Sequence, residues 1–406
     1  MLTLAGQGWQ NGGAVTAASI DPLTPDVFSA EFREDPYPAY AALRRDRPVY
    51  REPRYGGWLL TRFDDVLAAL LDPVTFSSAQ GPAPMPSPGL GSIAALPATD
   101  PPHHDQLRAL VNRGFTPRRV AASEPRVEAI ARELMDALPG DVFDVVPALS
   151  IPLPVVVIAE MLGVEPERLP DFRRWSDAFV GLLESAPTPD LVAATQELLS
   201  YFRNLAEERR REPKDDLVTA LVQAEIDGRR LDQGELDGFF IILLVAGNET
   251  TTNLISNQLH ILSTRPELWQ RLRADRSLVP GAVEETVRFD CPVQNLGRQT
   301  TRDVEIAGAR IPADSRVIVS YGAANRDPAA FVAPDEYRID REERRHLGFG
   351  QGVHFCLGAG LARLEGRIAL NALLDRFERI EPAGAPPVRL QSTVIRGFES
   401  LPLRGA

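Results

Sequence analysis

Residues 346–363 read HLGFGQGVHFCLGAGLAR. Cys356 is one of only two cysteines in the chain. It stands among five glycines, Gly348, Gly350, Gly352, Gly358 and Gly360, just ahead of an apolar helical run. A thiolate placed before a helix is stabilised by the unpaired N–H groups and the helix dipole. The glycines allow main-chain amides to approach the sulfur closely. A soft sulfur ligand with space above it suits iron, above all haem iron. Zinc needs more ligands, and the one nearby residue of ligand type, His354, is two positions away and expected to point elsewhere. The competing reading is a buried apolar cysteine at a loop–helix packing point. The glycines do not spell a dinucleotide site, because Val353 stands where the third glycine of G-x-G-x-x-G belongs.

Outward from this loop, the chain reads as mainly helical with small sheets. It has 406 residues, 44% of them hydrophobic, enough to bury a large core and a pocket. Helical periodicity runs through 30–46, 63–72, 126–138, 191–212 and 231–267. Residues 49–61 read as a hairpin, and 303–322 as two or three strands with Gly-Ala and Ala-Asp turns. Residues 77–100 form a long Pro/Gly loop, and loops of that length are often functional. No βαβ alternation appears, which argues against a doubly wound nucleotide fold. We expect a tail over 1–20 and a single domain over 21–406. The balance of 44 basic against 56 acidic residues, −12 net, argues against a nucleic-acid partner. No uninterrupted apolar run reaches about 18 residues, so no membrane span is expected. No secretory pattern is read at the N-terminus, and two distant cysteines do not suggest a disulfide framework. The expected location is the cytoplasm.

The most apolar helix carries an internal conflict. Residues 241–253 read IILLVAGNETTTN. A glycine inside a helix costs about 1 kcal/mol against alanine, and Glu249 beside Thr250 is costly in apolar surroundings unless partnered. Such conflicts cluster at functional sites. Ala246 and Gly247 would leave a flat space for a planar group. Thr250 Oγ would bond back to the Ala246 carbonyl, bending the helix. The plain alternative is a packing glycine with an exposed Glu-Thr pair. Glu285 and Arg288 stand three apart on one face of another helix, and the apolar Val283, Val287 and Phe289 suggest partial burial. His104 and Arg108, four apart, face together on a third helix; adjacent His103 and His104 do not make a metal pair.

In order and spacing, Phe349-Gly350-x-Gly352-x-His354-x-Cys356-x-Gly358 resembles the haem-binding loop of the cytochrome P450 family. Ala246-Gly247-x-Glu249-Thr250 resembles the motif of its long distal helix, Glu285-x-x-Arg288 its ion pair, and Asp100-Pro101-Pro102-x-His104-x-x-x-Arg108 a further element. The resemblance runs from about residue 25 to the end and implies the cytochrome P450 fold, with haem b (iron protoporphyrin IX) between the distal helix and the cysteine-loop helix. It implies that Cys356 ligates the iron and that Phe349, Gly350 and Gly358 frame it. His104, Arg108, Arg298 and His354 would hold the propionates. Glu249 and Thr250 would deliver protons to dioxygen. The third member of the ion-pair network is unsettled, because Glu336 stands at the usual Arg/His position; Arg326 or Arg338 are substitutes.

The implied activity is that of a bacterial-type monooxygenase that hydroxylates or epoxidises a hydrophobic small molecule. No flavin or iron–sulfur domain is read in the chain, so a separate ferredoxin and its reductase would supply electrons, with the chain acting as a monomer. Arg113, Arg118, Arg119, Arg344, Arg345 and Arg363 would receive the acidic donor, or else form a solvated charged surface. The expected pocket draws on Leu90 and Ile93 from the long loop, and on Ile242, Val245 and Ala246 from the distal helix. Val293, Gln294, Leu296, Val394 and Ile395 complete it, with Gln294 bonding a polar end of the substrate. A peroxide-driven peroxygenase is one alternative, which the Glu249-Thr250 pair argues against. A haem sensor is the other.

Overall fold

The computed structural model describes residues 24–84, 96–184, 188–343 and 345–406, apart from single positions 28 and 227. Leu90, Ile93, Arg344 and the tail over 1–20 lie outside the described residues, as does the side chain of Arg113. Helix takes up 55% of the described residues and their strands gather into small sheets, which makes the fold mainly α.

The largest sheet has five strands in the order Val49–Arg51, Trp58–Leu60, Arg316–Ser320, Asn295–Thr300 and Phe76–Ser77. The first two form the expected hairpin, with Val49 opposite Leu60. Arg316–Ser320 runs antiparallel to Asn295–Thr300, with Val317 opposite Arg298. A separate hairpin pairs Val304–Ile306 with Ala309–Ile311. Its turn is Ala307-Gly308, both at positive φ (49° and 80°), the mirror-image turn that suits the strand twist. That places the turn one residue earlier than the Gly-Ala reading.

Prolines cut two of the expected helices. The 30–46 run splits into Ala30–Glu34 and Tyr37–Asp46. Asp35, next to Pro36, is extended (φ −145°, ψ 93°), since a residue before proline is pushed out of the helical region. The 231–267 run ends at Ser263, and Pro266 opens the next helix, Pro266–Ala274. Apolar spacing continues across both breaks, which hid them.

The long helix Gln233–Ser263 organises the molecule. Asp232 caps it: Glu235 N donates to Asp232 Oδ1 and Asp232 N to Glu235 Oε2, both at 2.9 Å. Its first half places Leu236, Phe240 and Leu244 in a core built around Trp175 and Phe202. Its second half places Ile255, Leu259 and Leu262 in another, with Trp269 and Leu370. Burying each such side chain is worth about 1.5–3 kcal/mol. The middle, small and polar, is left for a cavity. By length and composition this helix is long and apolar enough to cross a membrane, although polar residues interrupt its apolar run. Its apolar window is 67% buried within the fold, however, and the helix serves as a core element.

Candidate active site

A cavity of about 280 Å³ lies between the middle of the long helix and the cysteine loop. Ile242, Ala246, Gly247, Thr250, Thr251 and Leu254 line it from the helix; Phe349, Gly350, His354, Cys356, Leu357 and Gly358 line it opposite. Pro82, Arg108, Val293, Leu296 and Arg298 close the sides. Val245, Gln294, Val394 and Ile395 are not in the wall. Gln294 is buried elsewhere, its Nε2 donating to the Cys291 carbonyl at 2.7 Å, so it is not placed to meet a substrate. Ile395 bridges to Val293, and the Val394 carbonyl accepts Gln294 N at 2.8 Å. That terminal segment is spent on pairing with the strand-side chain.

The cysteine loop is shaped by its own backbone. Gly350 and Gly352 sit at φ 69° and 71°, and a side chain at Gly352 would press on the Leu70 carbonyl. Cys356 N donates to the Phe349 carbonyl at 2.8 Å. The helix Ala359–Arg376 starts directly after Gly358, and nothing stands within 4 Å of where a Gly358 side chain would lie. Cys356 lines the cavity and is exposed there, while protein atoms surround it on its other sides. That burial raises its thiol, and the N–H groups of Gly358 and Ala359, with Arg108 and Arg363, pull the other way.

On the long helix, Thr250 Oγ1 donates to the Ala246 carbonyl at 2.8 Å. The helix stays continuous from Gln233 to Ser263 through this bond. A side chain at Gly247 would meet Ile158 Cγ1 at 3.2 Å, so this glycine admits the neighbouring helix Pro152–Leu162 as well as facing the cavity. Glu249 is half-buried and outside the cavity wall.

Four nitrogen-bearing side chains converge on one flank. His104, on the helix His103–Val111, is fully buried; its Nδ1 meets Asp105 Oδ1 at 3.0 Å, and its Nε2 has no partner. His354 Nε2 is likewise buried without a partner, and the two rings lie 4.4 Å apart. Burial first, then Arg298, His104 and Arg108, push His354 down to about 3, so it is neutral. Arg298 is buried with Nη1 on the Gly297 carbonyl at 2.8 Å, and burial lowers Arg108.

The ion pair is complete, with an unexpected third member. Glu285 accepts Arg288 Nε and Nη2 at 2.8 Å each, and Arg341 Nε at 3.0 and 3.1 Å. Arg341, rather than Arg326 or Arg338, supplies the second guanidinium. Arg338 contributes only its backbone N–H to Glu285 Oε1, at 2.8 Å. Glu336 offers only its carbonyl, to Arg288 and Arg341. Arg326 instead lies 3.5 Å from the Phe289 ring centre and pairs with Asp335. Nothing in the spacing selects Arg341, since its partner is 56 residues away.

Of the basic residues expected to meet a donor, Arg118 and Arg345 are exposed, and Arg119 pairs with Asp215 at 2.9 Å. Arg363 is committed: it pairs with Glu284 and lies 4.4 Å over the Phe349 ring.

A family model for cytochrome P450 matches residues 169–400. The chain is 41% identical to cytochrome P450 107B1 of Saccharopolyspora erythraea, over 94% of this chain and 98% of that protein. It is also 41% identical to the vitamin D(3) 25-hydroxylase of Pseudonocardia autotrophica, over 93% and 96%. The solved structure of CYP109Q5 from Chondromyces apiculatus superposes with a TM-score of 0.87 at 42% identity, covering 94% of this chain and 98% of that one. The same architecture and this degree of identity make the chain a member of the cytochrome P450 family, a monooxygenase whose cofactor is haem b.

Proposed function

We propose that this enzyme hydroxylates or epoxidises a hydrophobic small molecule, with Cys356 as the iron ligand and electrons from a ferredoxin and its reductase. The observation that carries the site assignment is the pair of buried, unpartnered imidazole nitrogens, His354 Nε2 in the wall of the cavity that Cys356 lines and His104 Nε2 on the ring 4.4 Å from it. A buried polar atom without a partner is costly. Haem fits this donor set: a planar apolar ring with two carboxylates would give both imidazoles, Arg108 and Arg298 their acceptors. Phe349, Gly350 and Gly358 would frame the sulfur, and Ala246 and Gly247 would hold the ring from the long helix across the cavity.

Bound haem supplies the activation of dioxygen by two electrons. The chain's own residues do the rest. Cys356 presents its sulfur with the amides of Gly358 and Ala359 beside it, which tunes its basicity. Thr250 holds its hydroxyl at the cavity wall, anchored to the Ala246 carbonyl, ready to pass a proton. Glu249, next to it, is the proton source on the outer side. Ile242, Val293 and Leu296 exclude water and favour an apolar substrate. The named activity of the hydroxylase relative supports the reaction type. Electron donors dock on the face carrying Arg118 and Arg345. We read residues 21–406 as one domain, acting as a cytoplasmic monomer.

The test is the absorption spectrum of the reduced, carbon monoxide-bound protein, for the wild type and for Cys356→Ser. A strongly red-shifted Soret band lost in the variant supports thiolate ligation by Cys356. A band that survives in the variant would overturn it. Turnover of apolar compounds with a ferredoxin pair, against none with peroxide, separates the monooxygenase from the peroxygenase.

A further inference from the structure

Arg316 is a half-buried guanidinium with no acidic partner among the described residues. It sits on the strand Arg316–Ser320, beside the position opposite Arg298. Burial and the neighbouring Arg298 push it down to about 10. Its Nε is buried and unpartnered. Two neighbouring guanidiniums, with no protein carboxylate on Arg316, are a poor choice for stability alone. What the guanidinium does contact is the main chain of residues 81–83: Nη2 donates to the Gly81 carbonyl at 2.7 Å and to the Ala83 carbonyl. Between those two carbonyls, Pro82 O accepts Gly297 N at 2.7 Å. Gly297 must be glycine, because a side chain there would overlap both the Ala83 carbonyl and the Arg316 guanidinium. Residues 81–83 are therefore clasped at three points onto the strand that carries Leu296 and Arg298. Pro82, Leu296 and Arg298 all line the cavity.

We propose that Arg316 is a positioning residue for substrate: by holding the carbonyls of Gly81 and Ala83 it keeps Pro82 in the cavity wall against Leu296, and so sets the bulk of ligand the cavity accepts. The proposal rests on the haem-site reading above. It takes no part in the chemistry, and Arg316 itself does not touch the cavity. The clasp acts through Pro82, so it matters only to a ligand large enough to reach that wall.

The experiment titrates the ferric protein with imidazole and with 4-phenylimidazole, following the Soret shift. Imidazole reports the iron and its immediate surroundings; 4-phenylimidazole extends to the wall. Arg316→Met is expected to weaken 4-phenylimidazole about tenfold and imidazole less than about twofold, the tenfold being near the value of one charge-assisted hydrogen bond. Gly297→Ala, which crowds the same clasp with Arg316 intact, is expected to show the same size-selective loss, and it decides the matter if Arg316→Met does not fold. Equal weakening of both ligands, or of neither, would overturn the proposal. A wild type without the red-shifted carbon monoxide band would instead sink the haem-site reading.

Discussion

Asn325 Oδ1 accepts the backbone N–H of Leu347 at 2.7 Å, while the Asn325 carbonyl accepts Arg288 Nη1 at 2.8 Å. One residue thus joins the buried ion pair to the entrance of the cysteine loop. Glu285, Arg288 and Arg341 carry a net charge of +1 out of water, and the surplus donors are spent on main-chain carbonyls at Val332, Pro334 and Glu336. The charges therefore fix the segment 325–341, and that segment fixes the loop.

Removing one guanidinium should show this. Arg341→Met is expected to destabilise the protein by about 3 kcal/mol, the usual cost of breaking a buried ion pair. Thermal unfolding measures it. An unchanged midpoint would mean that Arg288 alone satisfies Glu285.

The orphaned imidazoles lead to a prediction on cofactor retention. His104→Phe and His354→Phe keep a ring but remove the donor. Each is expected to speed haem loss to a competing apoprotein by about tenfold, since a bond to a carboxylate is worth about 1.5–3 kcal/mol. Haem loss as slow as in the wild type would place the propionates elsewhere.

Thr250 is the polar side chain of the 246–250 motif in the cavity wall, so its removal should alter the fate of dioxygen more than its consumption. With Thr250→Ala, we expect electron uptake to continue while product per electron pair falls about a hundredfold, the lower end of proton-transfer contributions. The balance should leave as hydrogen peroxide, which a peroxidase assay counts. Full coupling in the variant would remove Thr250 from proton delivery.

A pH effect follows from Glu284. Burial would raise its carboxyl, but His346 at 3.0 Å and Arg363 hold it at about 2. The folded state therefore binds this proton more weakly than the unfolded chain, whose ordinary value is 4.5. The stabilisation is present above that value and drains away as pH falls toward 2. Allowing for partial exposure, Glu284→Gln should cost about 2 kcal/mol at neutral pH and progressively less on acidification. Denaturant midpoints across that window would reveal the difference, and parallel curves would refute it.

Local spacing made much of this legible. The cysteine loop, the Thr250 bond to Ala246 and the Glu285–Arg288 pair each lie within a few residues, where helix geometry or turn chemistry dictates who meets whom. The mainly α fold followed from helical periods. Long-range partners did not. The sequence offers Arg326 or Arg338 as the third member, and only the path of the chain through 332–341 brings Arg341 to Glu285. Gln294 reads as a pocket residue by position, yet its amide is consumed by the Cys291 carbonyl. The clasp by Arg316 joins residues 235 apart in the chain and leaves no local trace.

The two unpartnered imidazoles belong to segments 250 residues apart, at 104 and 354. Whatever carboxylates satisfy them tie an early helix to a late loop, with a third tether at Arg298. On the proposed reading of the site, the cofactor is then a rivet through the finished molecule as much as a reagent. A cell making this enzyme faster than it makes haem should accumulate chains loosened at that seam and exposed to proteases, so haem supply would govern the yield of protein as well as its activity.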